Sequence, residues 1–243
     1  MLHLNQVVLV GFTSCMLLAV PAVKATPDIV GTVQLDTESG VYPGLGGGEF
    51  TAYTSQNFVE NYYGGATYDG GFETFCLETG VDFTPGNTYN YSLGNITQPL
   101  SGGGVGSGLN LTAGAAWLYQ EFATGGLGNY GYSYTFGTTR QQDDNLLQAA
   151  LWELQGGQSY PGYPSGDNQF YQDAINALGA SGATNSYTGS SIEVIQLWDG
   201  NGNAAQNQLV YTPVPDTAKT AGLLGISVLG IVLFRFRNRK AIQ

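Results

Sequence analysis

The sequence predicts an α+β fold, a β-sheet or small barrel carrying a helical insert, and three observations predict it. Short runs rich in β-branched and aromatic residues, set between Gly, Asn and Pro turns, lie on either side of the middle of the chain. Within that middle, apolar residues recur with helical rather than alternating spacing. The resulting order of strands, helices and strands argues for a twisted sheet or small barrel that carries a helical insert.

The strands are expected at Asp28 to Leu35, Glu49 to Thr54, Phe72 to Leu77, Tyr89 to Leu93, Ile192 to Trp198 and Gln208 to Thr212. The first helix is marked by Leu111, Ala115, Leu118, Tyr119 and Phe122, and the last by the spacing within Phe170 to Leu178. Between them, at 100° per residue, Leu146, Leu147, Ala150, Leu151 and Leu154 share one helical face. Asp143, Asp144 and Asn145 are placed to favour the start of that helix. Gln148 and Trp152, four residues apart, form a second stripe that the aliphatic face does not need. The glycine runs Gly44 to Gly48, Gly102 to Gly108 and Gly125 to Gly131 read as loops, and none continues into a phosphate-binding motif.

Both ends of the chain read as targeting signals. Val7 to Val20 is an apolar core too short to span a bilayer, and Val23-Lys24-Ala25 offers small residues before a cut, so residues 1–25 are expected to be a signal peptide. Cys15 lies inside that apolar run in a poor lipobox, so lipidation is not expected. Residues 213–243 combine a turn at Val214-Pro215-Asp216, an apolar span from Thr220 to Phe236, and the basic cluster Arg235, Arg237, Arg239 and Lys240. A basic end after an apolar run stops transfer and stays cytoplasmic. The span is slightly shorter than the roughly 20 residues that cross a bilayer comfortably. From the residues alone, an ordinary C-terminal anchor stays open. The three parts in this order resemble the tail of the PEP-CTERM sorting class, with Val-Pro-Asp-Thr in place of Pro-Glu-Pro as in its VPDSG-CTERM variant. The resemblance implies recognition and cleavage by an exosortase, transient insertion in the inner membrane, and delivery to the surface or exopolysaccharide matrix of a Gram-negative bacterium.

Between the signals lie about 190 residues, enough for one domain or two small packed subdomains. From Thr26 to Pro213 seventeen acidic residues face a single basic one, Arg140, a formal charge of 16 negative. Such a surface repels phosphate backbones and excludes nucleic acid as a partner. It also repels acidic polysaccharide unless divalent cations bridge the two. With His3 in the leader, the domain has no histidine, so Ser-His-Asp and Cys-His catalysis and His-based zinc sites are excluded. Lysine Schiff-base chemistry is excluded as well. A glycosidase needs two carboxylates, but no pair stands out, and an enzyme is not expected. No cofactor and no metal are implied.

After removal of the leader one cysteine remains, Cys76 in Thr74-Phe75-Cys76-Leu77-Glu78. Outside the cytoplasm a lone cysteine is buried and inert, paired between chains, or chemically committed in another way. Phe-Cys-Leu-Glu, together with Leu147-Gln148-Ala149-Ala150-Leu151-Trp152, resembles the two motifs of Cys-Gln thioester (TQXA-type) domains, with Leu147 where the family has Thr. The resemblance spans 72–152 of a domain taken as 26–212. It implies that Cys76 supplies the sulfur and Gln148 the acyl carbon of an internal thioester, shielded by Phe75 and Trp152. The implied role is covalent adhesion to an amine-bearing surface. The residues alone are equally compatible with Cys76 as a small core hydrophobe, Gln148 as a solvated helix residue and Trp152 as ordinary packing. The rival role is a noncovalent structural or carbohydrate-binding protein of the extracellular polysaccharide matrix.

Weaker signals complete the reading. Asp199 to Asn203 begins like an EF-hand loop, but Ala204 and Val210 replace its glycine and bidentate glutamate, so a hairpin turn is expected. Asn95-Ile96-Thr97 and Asn110-Leu111-Thr112 are glycosylation sequons by pattern only. Tyr130, Tyr132, Tyr134, Tyr160 and Tyr163 are of a type that stacks on sugar rings, and loop tyrosines more often pack locally.

Overall fold

A computed structural model describes residues 29–37, 42, 47–55, 58, 71–94, 108–156 and 166–213. The strands are β1 (Gly31–Asp36), β2 (Phe50–Thr54), β3 (Phe72–Thr74), β4 (Thr88–Gly94), β5 (Ile192–Trp198) and β6 (Ala204–Tyr211). The helices α1 (Ala113–Thr124), α2 (Thr138–Leu154), α3 (Gln169–Leu178) and the short α4 (Ala180–Thr184) all lie between β4 and β5, with a 3-10 turn at Gly126–Tyr130. The class is therefore α+β, with the helices inserted into the sheet's sequence.

The six strands form one antiparallel sheet in the order β3-β2-β1-β4-β5-β6, curled into a half-barrel. Its two edges meet. Beyond β3 the chain runs alongside β6, where Cys76 bridges Gln208, Leu77 N donates to Asn207 O at 3.0 Å and Leu209 N donates to Phe75 O at 3.3 Å. The expected strand Phe72 to Leu77 is thus split between two neighbours, β2 for its first half and β6 for its second.

Alternation along the strands divides the core in two. Val33, Leu35, Ala52, Phe72, Tyr91, Leu197 and Val210 fill one face of the sheet. Val194, Leu209, Phe75 and Leu77 point the other way into the helices, against Leu118, Phe122, Leu147 and Leu151. Adjacent residues separate accordingly, as Val194 from Ile195 and Leu209 from Val210. Phe75 meets Phe122 edge-on at a centroid distance of 5.0 Å, and burying a side chain of that size contributes about 1.5–3 kcal/mol.

Helix α1 follows its sequence signals. Thr112 caps it by accepting from Ala115 N at 3.3 Å, and Gly125, at φ 81°, ends it in the left-handed conformation that glycine tolerates. Asn168 caps α3 in the same way through Tyr171 N at 3.2 Å. Helix α2 departs from expectation. It starts at Thr138, after Gly137 and without a side-chain cap, so Asp143 and Asp144 lie inside the helix and not at its start. The first two turns hide their buried face because that face is made by Arg140 and Asp144, which bond Glu49 and Tyr132 instead of packing on apolar side chains. Strand β6 likewise begins at Ala204, four residues before the expected Gln208, because Gln206, Asn207 and Gln208 are buried polar residues that the apolar pattern passes over.

Candidate functional site

Helix α2 carries Arg140, Asp144, Gln148 and Trp152 at intervals of four, which places them in one stripe along the helix. All four are buried. The chain entering β2 crosses this stripe as a strap. Gly47 lies so close to Trp152 that a Cβ there would sit 2.5 Å from the indole Cη2 and 3.0 Å from Gln148 Cγ, so only glycine fits. Gly48 reaches Gln148, Glu49 reaches Arg140, and Phe50 packs with Trp152. Cys76 approaches from the seam between β3 and β6.

Gln148 is no solvated helix residue: it is 2% exposed and its carboxamide is bound on both atoms. Oε1 accepts from Cys76 N at 2.9 Å and from Gly48 N at 3.1 Å, while Nε2 donates to Cys76 O at 2.7 Å. The amide therefore grips the backbone of the cysteine itself. Two converging N–H donors polarise the Gln148 carbonyl and stand where negative charge develops on its oxygen when a nucleophile adds to Cδ. The thiol is fully buried, and Gln208 Nε2 lies 3.4 Å from Sγ. Gln208 Oε1 is buried without a hydrogen-bond partner.

Phe50, Cys76 and Trp152 form one buried apolar cluster, with Tyr42 and Phe83 packed against it. The Phe50 ring lies 5.0 Å from Tyr42 and 4.7 Å from Phe83. Trp152, named above as a shielding residue, lies in this cluster beside Cys76. Phe75 does not: strand alternation turns it away from Cys76 into the helical core, and Phe50 occupies the covering position instead. Phe50 was missed because it is brought in from a separate strand by the sheet.

Burial pushes the Cys76 thiol well above the ordinary thiol range; the Gln208 hydrogen bond opposes this, and the charges of Glu78 and then Asp82 reinforce it. The sulfur is accordingly held as neutral S–H. Glu78, two residues on, receives Asn207 N at 2.8 Å and the Asn207 side-chain amide, yet burial outweighs these bonds and raises its pKa from 4.5 to about 7.

A second buried group adjoins the first. Arg140 Nε donates to Glu49 Oε2 at 2.9 Å, its Nη2 to Glu49 Oε1, and its Nη1 to Tyr134 O at 2.9 Å. Burial disfavours the guanidinium charge, but the bonds and charge of Glu49 outweigh it and hold the cation. The Tyr132 hydroxyl lies 3.1 Å from Glu49 Oε2 and also meets Asp144 Oδ1. Asp144 has its pKa raised well above its ordinary value, by burial first and then by the neighbouring Glu49. The chain's single cation between Thr26 and Pro213 is therefore buried. That isolated arginine, spaced four and eight residues before Asp144 and Gln148, was the available signal for this group.

The remaining expectations find plainer places. Asp199 accepts from Asn201 N and Asn203 N at 2.8 Å and from the Asn203 side chain at 2.9 Å, so its carboxylate closes the hairpin turn. Tyr132 is buried, Tyr134 stacks on Phe122, and Tyr130 meets Trp117 edge-on, so these tyrosines pack locally. Tyr160 and Tyr163 lie outside the described residues, as do the sequon at Asn95, the signal peptide, the motif at Val214, Pro215 and Asp216, and the basic cluster from Arg235 to Lys240. Among the described residues no helix is long and apolar enough to cross a membrane, and no group of three or more His, Cys, Asp or Glu could hold a metal ion. Comparison of the chain with protein-family models, curated proteins and solved structures finds no match, so the reading of this site rests on its own geometry.

Proposed function

We propose that the chain is an exported cell-surface or extracellular-matrix protein, sorted by an exosortase, that tethers itself covalently through a Cys76–Gln148 thioester. The observation that carries the chemistry is the Gln148 carboxamide bound on both atoms by the backbone of Cys76 and by Gly48 N. The tail from Val214 to Lys240 carries the export half of the reading.

The condensation balances without a co-reactant. Cys76 Sγ adds to Gln148 Cδ, and charge on Oε1 falls on the two amide N–H groups. The C–N bond then breaks, and nitrogen leaves as ammonia with the thiol proton, which the neutral S–H supplies. Burial under Trp152 and Phe50 keeps water from the product. An amine on a partner surface later attacks the same carbon, forms an amide at Gln148, and returns its proton to the departing Cys76 sulfur. No histidine is present in the domain to activate a hydroxyl, which favours amines.

Methylamine labelling tests this reading. Peptide mapping of treated protein is expected to find a methylamide at Gln148 and a newly alkylatable thiol at Cys76. An unmodified Gln148 beside a thiol that titrates before treatment would leave a noncovalent matrix protein as the reading.

A further inference from the structure

We infer that Arg140 is a positioning residue for the acyl chemistry at Gln148, acting through Glu49 to aim the Gly48 N–H at Gln148 Oε1. This inference rests on the thioester reading.

Gly48 has φ 123°, a conformation only glycine holds without strain, so its amide direction is set by what grips the chain on either side. On the far side that grip is Glu49. Both of its carboxylate oxygens are bound by the Arg140 fork, and one is also met by Tyr132. Arg140 is itself oriented by Tyr134 O. Since Arg140 and Gln148 share a helix and a face, the strap is pinned to α2 at two points eight residues apart, one ionic and one through the carboxamide. A rigid fork fixes the Glu49 backbone more tightly than a single point charge can.

Stability is a poor explanation for this pair. A buried ion pair costs about as much in desolvation as it returns, and apolar replacements of similar volume are often neutral or stabilising. The only cation between Thr26 and Pro213 is nevertheless placed here and fully buried. Geometry gives it a use. Both the closing of the thioester, with loss of ammonia carrying the thiol proton, and its opening by an amine, with return of a proton to sulfur, pass through an oxyanion on Gln148 Oε1. The Gly48 N–H serves both steps.

Methylamine acylation, followed by intact mass on the purified full-length protein, separates positioning from structural support. In the double variant Glu49→Leu with Arg140→Met, the expected result is a thermal midpoint equal to or above wild type and a first-order rate at least about tenfold lower. That is below the roughly 100-fold cost of deleting an oxyanion donor outright, because the N–H is loosened and not removed. Arg140→Lys, which keeps the charge and loses the fork, is expected to slow the reaction in the same direction. Leu127→Ala, in the helical core away from the strap, is expected to lower the midpoint and leave the rate unchanged. Wild-type rates in the folded double variant and in Arg140→Lys overturn the positioning role and leave the thioester standing. Equal slowing in Leu127→Ala, or failure of both Arg140 variants to fold, overturns it by making the pair merely structural. Wild-type protein of full calculated mass overturns the thioester and this role together.

Discussion

Gln148 is held by three hydrogen bonds, and each leaves a buried backbone group behind if the side chain is removed. Gln148→Ala strands Gly48 N, Cys76 N and Cys76 O. At about 1–3 kcal/mol for each group left unpaired, partly relieved by relaxation, the expected loss is about 3–5 kcal/mol in urea unfolding. Cys76→Ala keeps the carboxamide with its backbone partners and, like Gln148→Ala, cannot close the thioester, so it is the reference for that loss; equal stability of the two variants would contradict the geometry. Asp144 carries a separate expectation. Its folded pKa is raised, so its contribution is complete below the unfolded carboxyl pKa and is lost as pH rises through the folded value. Asp144→Asn mimics the protonated form, and its unfolding free energy relative to wild type is expected to rise as pH climbs above the ordinary carboxyl range. A variant that tracks wild type at every pH would show Asp144 to be ionised in the fold.

The strap Gly47–Phe50 and the stripe on α2 are the elements that build the site, and they were legible to different degrees. The aliphatic face of α2 was readable because Leu147, Ala150, Leu151 and Leu154 repeat with helical period, and all four are buried. Gln148 and Trp152 were readable as a second stripe. The two turns before them were not, since Arg140 and Asp144 bury polar groups whose partner Glu49 lies 91 residues from Arg140 in sequence. Periodicity cannot report such a pairing. Phe75 was misplaced for a related reason: a residue next to Cys76 in a strand faces the opposite side, and the cover comes from Phe50 on another strand. The strap's fit is open to a direct check. Gly47→Ala forces a Cβ onto Trp152 and Gln148, which costs about 1–3 kcal/mol, or about 2–4 °C in thermal midpoint for each kcal/mol. Gly200→Ala, with no atom within 4 Å of its Cβ, is the matched control and should leave the midpoint unchanged.

Across the whole molecule, strand and helix order was legible in the sequence, while the meeting of the sheet's edges at Cys76 was not, because strand pairing is set by curvature and not by local pattern. The acidic balance has a consequence for the folded domain as a unit. Glu78 titrates at about 7 in the fold against 4.5 for its ordinary value, so its stabilising contribution, present below about pH 4.5, is lost as pH climbs through 7. That amounts to about 3 kcal/mol. Asp144, Asp143 and Asp173 shift in the same direction, and 16 formal negative charges repel one another more as pH rises. Chemical unfolding at pH 5 and pH 8 should therefore show greater stability at pH 5, and the reverse order would contradict the burial of these carboxyls. The tail makes its own prediction. Replacing Pro215→Ala and Asp216→Ala together is expected to retain the protein in the inner-membrane fraction, and unchanged release would argue against sorting through that motif. All of the proposed chemistry converges on one property of the intact chain, its mass. Wild-type protein is expected to be lighter than its calculated mass by one ammonia, a deficit that Cys76→Ala and Gln148→Ala each abolish. Full calculated mass in freshly purified wild-type protein, with a free thiol at Cys76 on unfolding, would contradict the thioester.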